Sequence, residues 1–270
     1  MELVHPLTAA SGPAWCRPIE GSRSVVASCT KVLREMHSAE VVSARMLSSN
    51  VRELTFATEE DFAFKPGQWV NLFFPELHNA RGEPLKRAYS IASEPRKDGR
   101  FVVAVTQVTD GPASTGLHSA QLGQTFKMSG PHGAFVLAPL LRPVLMIATG
   151  TGVVPFRSML RALDVRTPHP VALLFGVRDE SELLYREEFE ALARSEASFS
   201  FCPTLSRSNP IWEGKRGYVQ AHLRQILDDL GGKDCDAYVC GLAKMVHDVR
   251  RMLSEELGVD RKQIHVERFD

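Results

Sequence analysis

The sequence predicts a two-part protein, an antiparallel β-barrel followed by a parallel α/β domain. Three observations carry this expectation. The chain has 270 residues, enough for two domains of ordinary size. Beyond residue 37, the first half holds many short runs rich in β-formers, separated by turn residues. The second half alternates apolar, strand-like runs with helical ones.

The barrel is read from runs at 41–46, 51–57, 69–74, 88–92 and 101–108, with 125–128 and 135–137 closing the set. Ser49-Asn50, Lys65-Pro66-Gly67, Pro84 and Asp98-Gly99 punctuate them. Such a series of short strands suits a barrel or sandwich. Near Arg142 the texture changes. An apolar run at 143–148 leads into Gly150-Thr151-Gly152 and a helical stretch through 163. Further strands are predicted at 171–177, 199–204, 237–240 and 264–267. A helix over 242–257 has Met245, Val249, Met252 and Leu253 on one face and Gly258 as its stop. Alternating β and α implies a parallel sheet covered on both sides. Residues 1–37 have little periodicity and are expected to be a disordered extension, or the product of a start codon assigned too early. The domains are then 38–140 and 141–270.

Composition narrows the function. Lys plus Arg equals Asp plus Glu, at 32 each, so a general nucleic-acid binder is not expected. No run of eighteen apolar residues predicts a membrane span. Residues 1–14 have no basic segment followed by an apolar one, so a cytoplasmic location is expected. Cys16, Cys29, Cys202, Cys235 and Cys240 are scattered and odd in number, which suits a reducing compartment. Their spacing holds neither an iron–sulfur cluster nor zinc.

The chemistry-bearing segments are ambiguous one by one. Gly150-Thr151-Gly152 follows a buried strand and precedes a helix, with Pro155 in its first turn. Backbone N–H groups there can face a pyrophosphate, but a Gly pair also serves a plain tight turn. Arg87 and Tyr89 share one face of a predicted strand and Ser90 takes the other, unless the strand bends. An Arg can fork onto phosphate and a Tyr can stack on an aromatic cofactor. Alone, the segment reads as an ordinary strand. Gly111 to Thr115 opens a helix, as a phosphate site or simply an N-cap. Gly130-Pro131-His132-Gly133 reads as a turn.

Together these segments become specific. Arg87-Ala88-Tyr89-Ser90-Ile91-Ala92-Ser93, Gly111 to Ser114, Gly130-Pro131-His132-Gly133 and Gly150-Thr151-Gly152-Val153-Val154-Pro155-Phe156-Arg157-Ser158 occur in that order. Leu174-Phe175-Gly176-Val177-Arg178, Leu183-Leu184-Tyr185-Arg186-Glu187-Glu188-Phe189, Ser206-Arg207, Tyr218-Val219-Gln220, Tyr238-Val239-Cys240-Gly241-Leu242 and Val266-Glu267-Arg268-Phe269 follow. From about residue 38 onward the chain resembles the plant-type ferredoxin–NADP reductases.

The resemblance implies a Greek-key barrel holding FAD and an α/β domain holding NADP. It implies Arg87 on the flavin pyrophosphate, Tyr89 stacked on the isoalloxazine and Ser90 near its N5. Gly111, Ser114 and Thr115 would hold the FAD phosphates. Gly150, Thr151 and Gly152 would approach the nicotinamide nucleotide, and Cys240 would lie by its ring. Glu267 would be the carboxylate at the flavin edge, tuning charge and passing protons. Ser206, Arg207 and Tyr218 look like the adenosine-end site. A cation and a hydroxyl suit a 2′-phosphate, so NADP is favoured over NAD. The implied activity is a flavoenzyme passing electrons between NADPH and ferredoxin or flavodoxin.

The chain departs from that pattern in places. Phe269 stands where the plant enzymes end in a Tyr over the flavin, and Asp270 follows it. The loop 209–215 has its own composition, and short barrel insertions suggest a bacterial relative. One alternative is an NADH-linked reductase component of an oxygenase system, which a fused ferredoxin would favour. Another is a non-catalytic flavin-binding regulatory subunit, against which Ser90, Cys240 and Glu267 argue.

Overall fold

The computed structural model describes residues 36–59, 61–163 and 168–269. The expected extension over 1–37 lies outside them except for Met36 and His37, which open the first strand, and Asp270 lies outside as well.

The first part is built from β1 (Met36–Met46), β2 (Val51–Thr58), β3 (Trp69–His78), β4 (Pro84–Ser90), β5 (Arg100–Thr106) and β6 (Thr125–His132). They form an antiparallel sheet in the order β4-β3-β6-β1-β2-β5. A bridge between Ile91, just past β4, and Val103 of β5 brings the two edges together, so the sheet curls into a barrel. Alternation explains its filling: Leu54 and Phe56 point inward on β2, and Phe56 stacks on Phe101 with ring centroids 5.4 Å apart. Helix α1 (Pro112–Ser119) plugs the barrel with Ala113 and Leu117. Each such fully buried Leu or Phe contributes about 1.5–3 kcal/mol.

Two expectations are corrected here. Residues 135–137 do not form a closing strand; Phe135 packs into the core of the second part instead. Gly130-Pro131-His132 is not a turn but the end of β6. Gly130, at φ 144°, passes so close to β3 that a Cβ there would meet Val70 at 3.2 Å. The chain turns only at Gly133 (φ 97°).

The second part contains β7 (Val144–Thr149), α2 (Val154–Ala162), β8 (Val171–Val177), α3 (Arg186–Ser195), β9 (Phe199–Leu205), β10 (Lys215–Arg216), α4 (Leu223–Asp229), β11 (Asp236–Leu242), α5 (Ala243–Arg251) and β12 (Ile264–Phe269). The sheet is parallel, in the order β10-β9-β8-β7-β11-β12. Its faces pack into separate cores, Met146 and Ala148 into one and Leu145 and Ile147 into the other. That explains why these strands read as continuous apolar runs. The helix expected over 242–257 is α5 continued by a wider turn, Met252–Glu256, and it stops before Gly258 at φ 73°. The chain leaves β7 toward β8 on one side and returns to β11 on the other. The crevice at the carboxyl end of β7 is therefore a topological switch point, where such sheets bind ligands.

The two parts share one core. Val51, Ala92, Ala104 and Phe135 pack with Val154, Phe156 and Met159. The Ser158 hydroxyl donates to the Ser93 carbonyl at 2.6 Å, and Arg157 Nη1 donates to the Ala92 carbonyl at 3.0 Å.

Candidate functional site

Two cavities meet at the seam between the parts. The first, about 370 Å³, lies on the barrel side. Its walls are Arg87 to Ser90 at the end of β4, Ala104 and Thr106 of β5, and Gly111 to Ser114 at the start of α1. Arg87, Tyr89 and Ser90 all line it, against the strict alternation expected of a strand. The chain bends there, because β4 ends at Ser90 and Ile91 turns to pair with Val103. Burial pushes the Tyr89 phenol up to about 12, against the pull of Arg87, so the ring is a neutral wall at working pH.

At the start of α1 the Ser114 hydroxyl donates to the Gly111 carbonyl at 2.9 Å and accepts from Val108 N–H at 3.1 Å. It ties the loop together rather than capping the helix, which has no side-chain cap. The helix N-terminus is thus left facing the cavity. Gly111 is required: a Cβ would come within 2.7 Å of Ser114 Oγ and 2.9 Å of Val108 Cβ. Thr115, expected among the phosphate contacts, is exposed and does not line the cavity, because one helical step turns it away from the face that buries Ser114.

The second cavity, about 650 Å³, opens at the carboxyl ends of β7, β8, β9 and β11. Gly150, at φ 52°, begins its floor. A Cβ at Gly152 would lie 2.3 Å from the Cys240 carbonyl oxygen, so only glycine lets this turn reach β11. Ser206 and the exposed Tyr218 line the far end. Arg207 does not line the cavity; the cations that do are Arg178, whose carbonyl accepts Arg207 N–H at 2.7 Å, and Lys244, which pairs with Asp248. Thr149 Oγ1 and Gln220 Oε1 are buried in residues of this wall without a hydrogen-bond partner. Unsatisfied polar atoms in a crevice fit a polar ligand. Sequence reasoning missed Arg178, Thr149 and Gln220 as site residues. Arg178 carried a legible signal, being the first charged residue after the fully apolar β8.

Thr106, Thr151 and Phe269 line both cavities, and Thr106 Oγ1 reaches Thr151 Oγ1 at 3.4 Å across the seam. Phe269 separates the cavities as a partly buried ring. Cys240 and Glu267 are register partners on β11 and β12 and line neither cavity. Cys240 is fully buried and Glu267 partly so. Burial pushes the Cys240 thiol well up, with the Glu267 charge adding to it. Burial raises Glu267 to about 7, opposed by a hydrogen bond from Ser90. A carboxyl titrating near neutrality, linked through a hydroxyl to the cavity wall, can hold or move a proton.

The site fits a flavin dinucleotide beside a nicotinamide dinucleotide. An aromatic wall, a cation and a helix N-terminus face one cavity, and a glycine turn with unsatisfied polar atoms faces the other. Residues 38–137 match the family model of the oxidoreductase FAD-binding domain, and residues 146–251 that of the oxidoreductase NAD-binding domain. Ferredoxin–NADP reductase B of Sorangium cellulosum is 46% identical over 244 residues, 87% of this chain and 98% of that protein. The toluate 1,2-dioxygenase electron transfer component of Pseudomonas putida is 31% identical over 86% of this chain and 67% of its own length. Among solved structures, a ferredoxin NADP+ reductase from Neisseria gonorrhoeae with bound FAD and NADP superposes with a TM-score of 0.74. It is 22% identical over 87% of this chain and 98% of that one, and so speaks to the fold alone. No helix among the described residues is long and apolar enough to cross a membrane.

Proposed function

Because the chain belongs to the ferredoxin–NADP reductase family, we propose that it passes electrons between NADPH and a ferredoxin- or flavodoxin-like one-electron carrier through bound FAD. The observation that carries this reading is the meeting of the two cavities at Thr106, Thr151 and Phe269. Bound flavin supplies a centre that accepts two electrons as hydride and releases them singly.

The chain's own residues have separable tasks in this reading. Arg87 and the N-terminus of α1 offer positive charge to a pyrophosphate, and Tyr89 offers a ring face. Gly150 and Thr151 bring backbone N–H groups to the nucleotide, and Gly152 packs the turn against β11. Ser90 and Glu267 hold a proton at the cavity wall. Phe269 shields the seam from water until the nucleotide displaces it. Arg178, Ser206 and Tyr218 favour a 2′-phosphate, and the carboxylate nearby, Glu182, is engaged by Arg178 N–H at 3.2 Å. A neutral-pH, cytoplasmic setting suits these groups.

A second reading, an NADH-fed component of an oxygenase system, draws on the likeness to the toluate dioxygenase component. One experiment separates them. The purified yellow protein is mixed anaerobically with NADPH or NADH, and flavin bleaching is followed, then transfer to ferredoxins and flavodoxins. Faster bleaching by NADPH supports the first reading, and preference for NADH the second. No bleaching by either would leave a flavin-binding protein without turnover.

A further inference from the structure

Arg52 is a half-buried cation on β2 that has no task in the proposed function. Its guanidinium closes the carboxyl end of α1. Nη1 donates to the Leu117 carbonyl at 3.1 Å and to the His118 carbonyl, and Nη2 donates to the Ala120 carbonyl at 3.0 Å. A bond runs the other way as well, with His118 Nε2 donating to the Val105 carbonyl at 2.8 Å. Arg52 and Val105 are register partners on β2 and β5, so one cross-strand pair holds the end of the helix. The Ser119 hydroxyl covers the Thr115 and Gly116 carbonyls at 3.1 and 3.2 Å. Side chains thus take up carbonyls that the last turn of a helix leaves without partners.

The amino end is treated in the opposite way. It has no side-chain cap, and the first turn holds no acidic residue. The first backbone bond runs from Thr115 N–H to the Gly111 carbonyl at 2.9 Å, so the N–H groups of Ala113 and Ser114 lie ahead of it. Both residues line the flavin-side cavity. A helix of eight residues, about 12 Å long, does not hold its own direction in water. Its aim depends on where it is fastened. The fastening also has an electrostatic side. The carboxyl end of a helix carries a partial negative charge that opposes the positive amino end. A guanidinium set on that end cancels it, and the cavity then faces a net positive potential.

We propose that Arg52 is a positioning residue for bound FAD: by gripping the carboxyl end of α1, it aims the open N–H groups of Ala113 and Ser114 at the pyrophosphate and leaves their positive field uncancelled. This rests on the reading of the barrel-side cavity as the flavin site. Arg52 lines neither cavity and acts through the helix. It therefore governs how tightly the flavin is kept, and not the affinity for nucleotide or the hydride step.

The test compares the purified FAD-loaded parent, Arg52→Met and Arg52→Lys. FAD release on dilution is followed by the rise in flavin fluorescence, NADP+ affinity by titration, and bleaching by NADPH with FAD in excess. Met keeps an aliphatic stem and removes the charge and the donors, whereas Lys keeps the charge and loses the fork. Release is expected to quicken about tenfold in Arg52→Met, with Arg52→Lys between it and the parent. NADP+ affinity and saturated bleaching should stay within about twofold of the parent's. A helix cap with no part in flavin binding lowers the melting temperature and leaves release at the parental rate, and that result overturns the proposal. A loss of NADP+ affinity as large as the loss of FAD overturns it too, because it marks a general loosening. Arg52→Gln, neutral but able to reach one carbonyl, replaces Arg52→Met in the comparison if the latter does not fold. A parent protein that neither retains nor takes up FAD overturns the reading of the cavity itself, before any variant is compared.

Discussion

The Ser90 hydroxyl, at the end of β4, opposes the upward shift of the Glu267 carboxyl on β12, the last strand of the α/β sheet. Ser90 is at the wall of the flavin-side cavity, and Glu267 is partly buried, with its Oε2 buried and unpartnered. Burial outweighs the hydrogen bond, so the carboxyl titrates at about 7.

The pH dependence follows from that burial. The folded protein keeps the Glu267 proton up to about 7, whereas the unfolded chain releases it in the ordinary carboxylate range. The stability contributed by the protonated form is thus full below that ordinary range and lost as pH rises through about 7. Glu267→Gln cannot ionise. Its melting temperature should fall less than the parent's between about pH 5 and about pH 8. The flavin bleaching rate should show an inflection near neutrality in the parent and none in the variant. An inflection that survives the substitution removes Glu267 from this role.

Phe269 lines both cavities and competes with the nicotinamide for the seam. Ring stacking contributes about 0.5–1.5 kcal/mol beyond burial. Phe269→Ser should tighten nucleotide binding, strengthen the charge-transfer band and slow turnover where release limits it. Discrimination between NADPH and NADH should loosen, since the shared nicotinamide end gains weight in binding. Titration of the variant with both nucleotides, followed by flavin absorbance, is the measurement. Unchanged affinities and spectrum mean that the ring does not cover the flavin.

The cation for the 2′-phosphate is expected to be Arg178 before Arg207, because Arg178 lines the nucleotide cavity beside Ser206 and Arg207 does not. Arg178→Ala should cost about 1.5–3 kcal/mol in NADPH binding and little in NADH binding. Arg207→Ala should have the smaller effect. Steady-state KM values for both nucleotides decide the order, and a larger loss with Arg207→Ala reverses the assignment.

Gly152→Ala should spare FAD and damage the nucleotide site. Its Cβ would lie 2.3 Å from a backbone oxygen of β11 and 2.8 Å from Gly241 Cα, atoms with no room to yield. The strain is on the order of 1–3 kcal/mol. The expected result is a yellow protein with a lowered melting temperature that NADPH no longer bleaches at the parental rate. A variant with parental nucleotide affinity would show that the turn can move away from β11.

The chain itself determined the kind and order of its elements. Alternation in 51–57, the apolar run at 143–148 and Gly150-Thr151-Gly152 behind it are local patterns, and local backbone preference is enough to turn them into strands and a turn. Tertiary structure decided what these elements do. Gly130-Pro131-His132 reads as a turn until β3 is placed beside it. Gly150-Thr151-Gly152 reads as a pyrophosphate turn or a plain tight turn until the Cys240 carbonyl closes over Gly152. Thr115 and Arg207 look like site residues by their neighbours in the chain, yet the pitch of α1 and the loop after β9 leave them off the cavity walls, while Arg178 lines one. Without the family resemblance, Glu267 reads as a solvated carboxylate near a chain end. Its proton affinity depends on burial beside Ser90, from a strand far away in the chain. Propensity acts over a few neighbouring residues and can be read from them. Burial, cavity walls and proton affinity are sums over atoms that only the folded chain brings together.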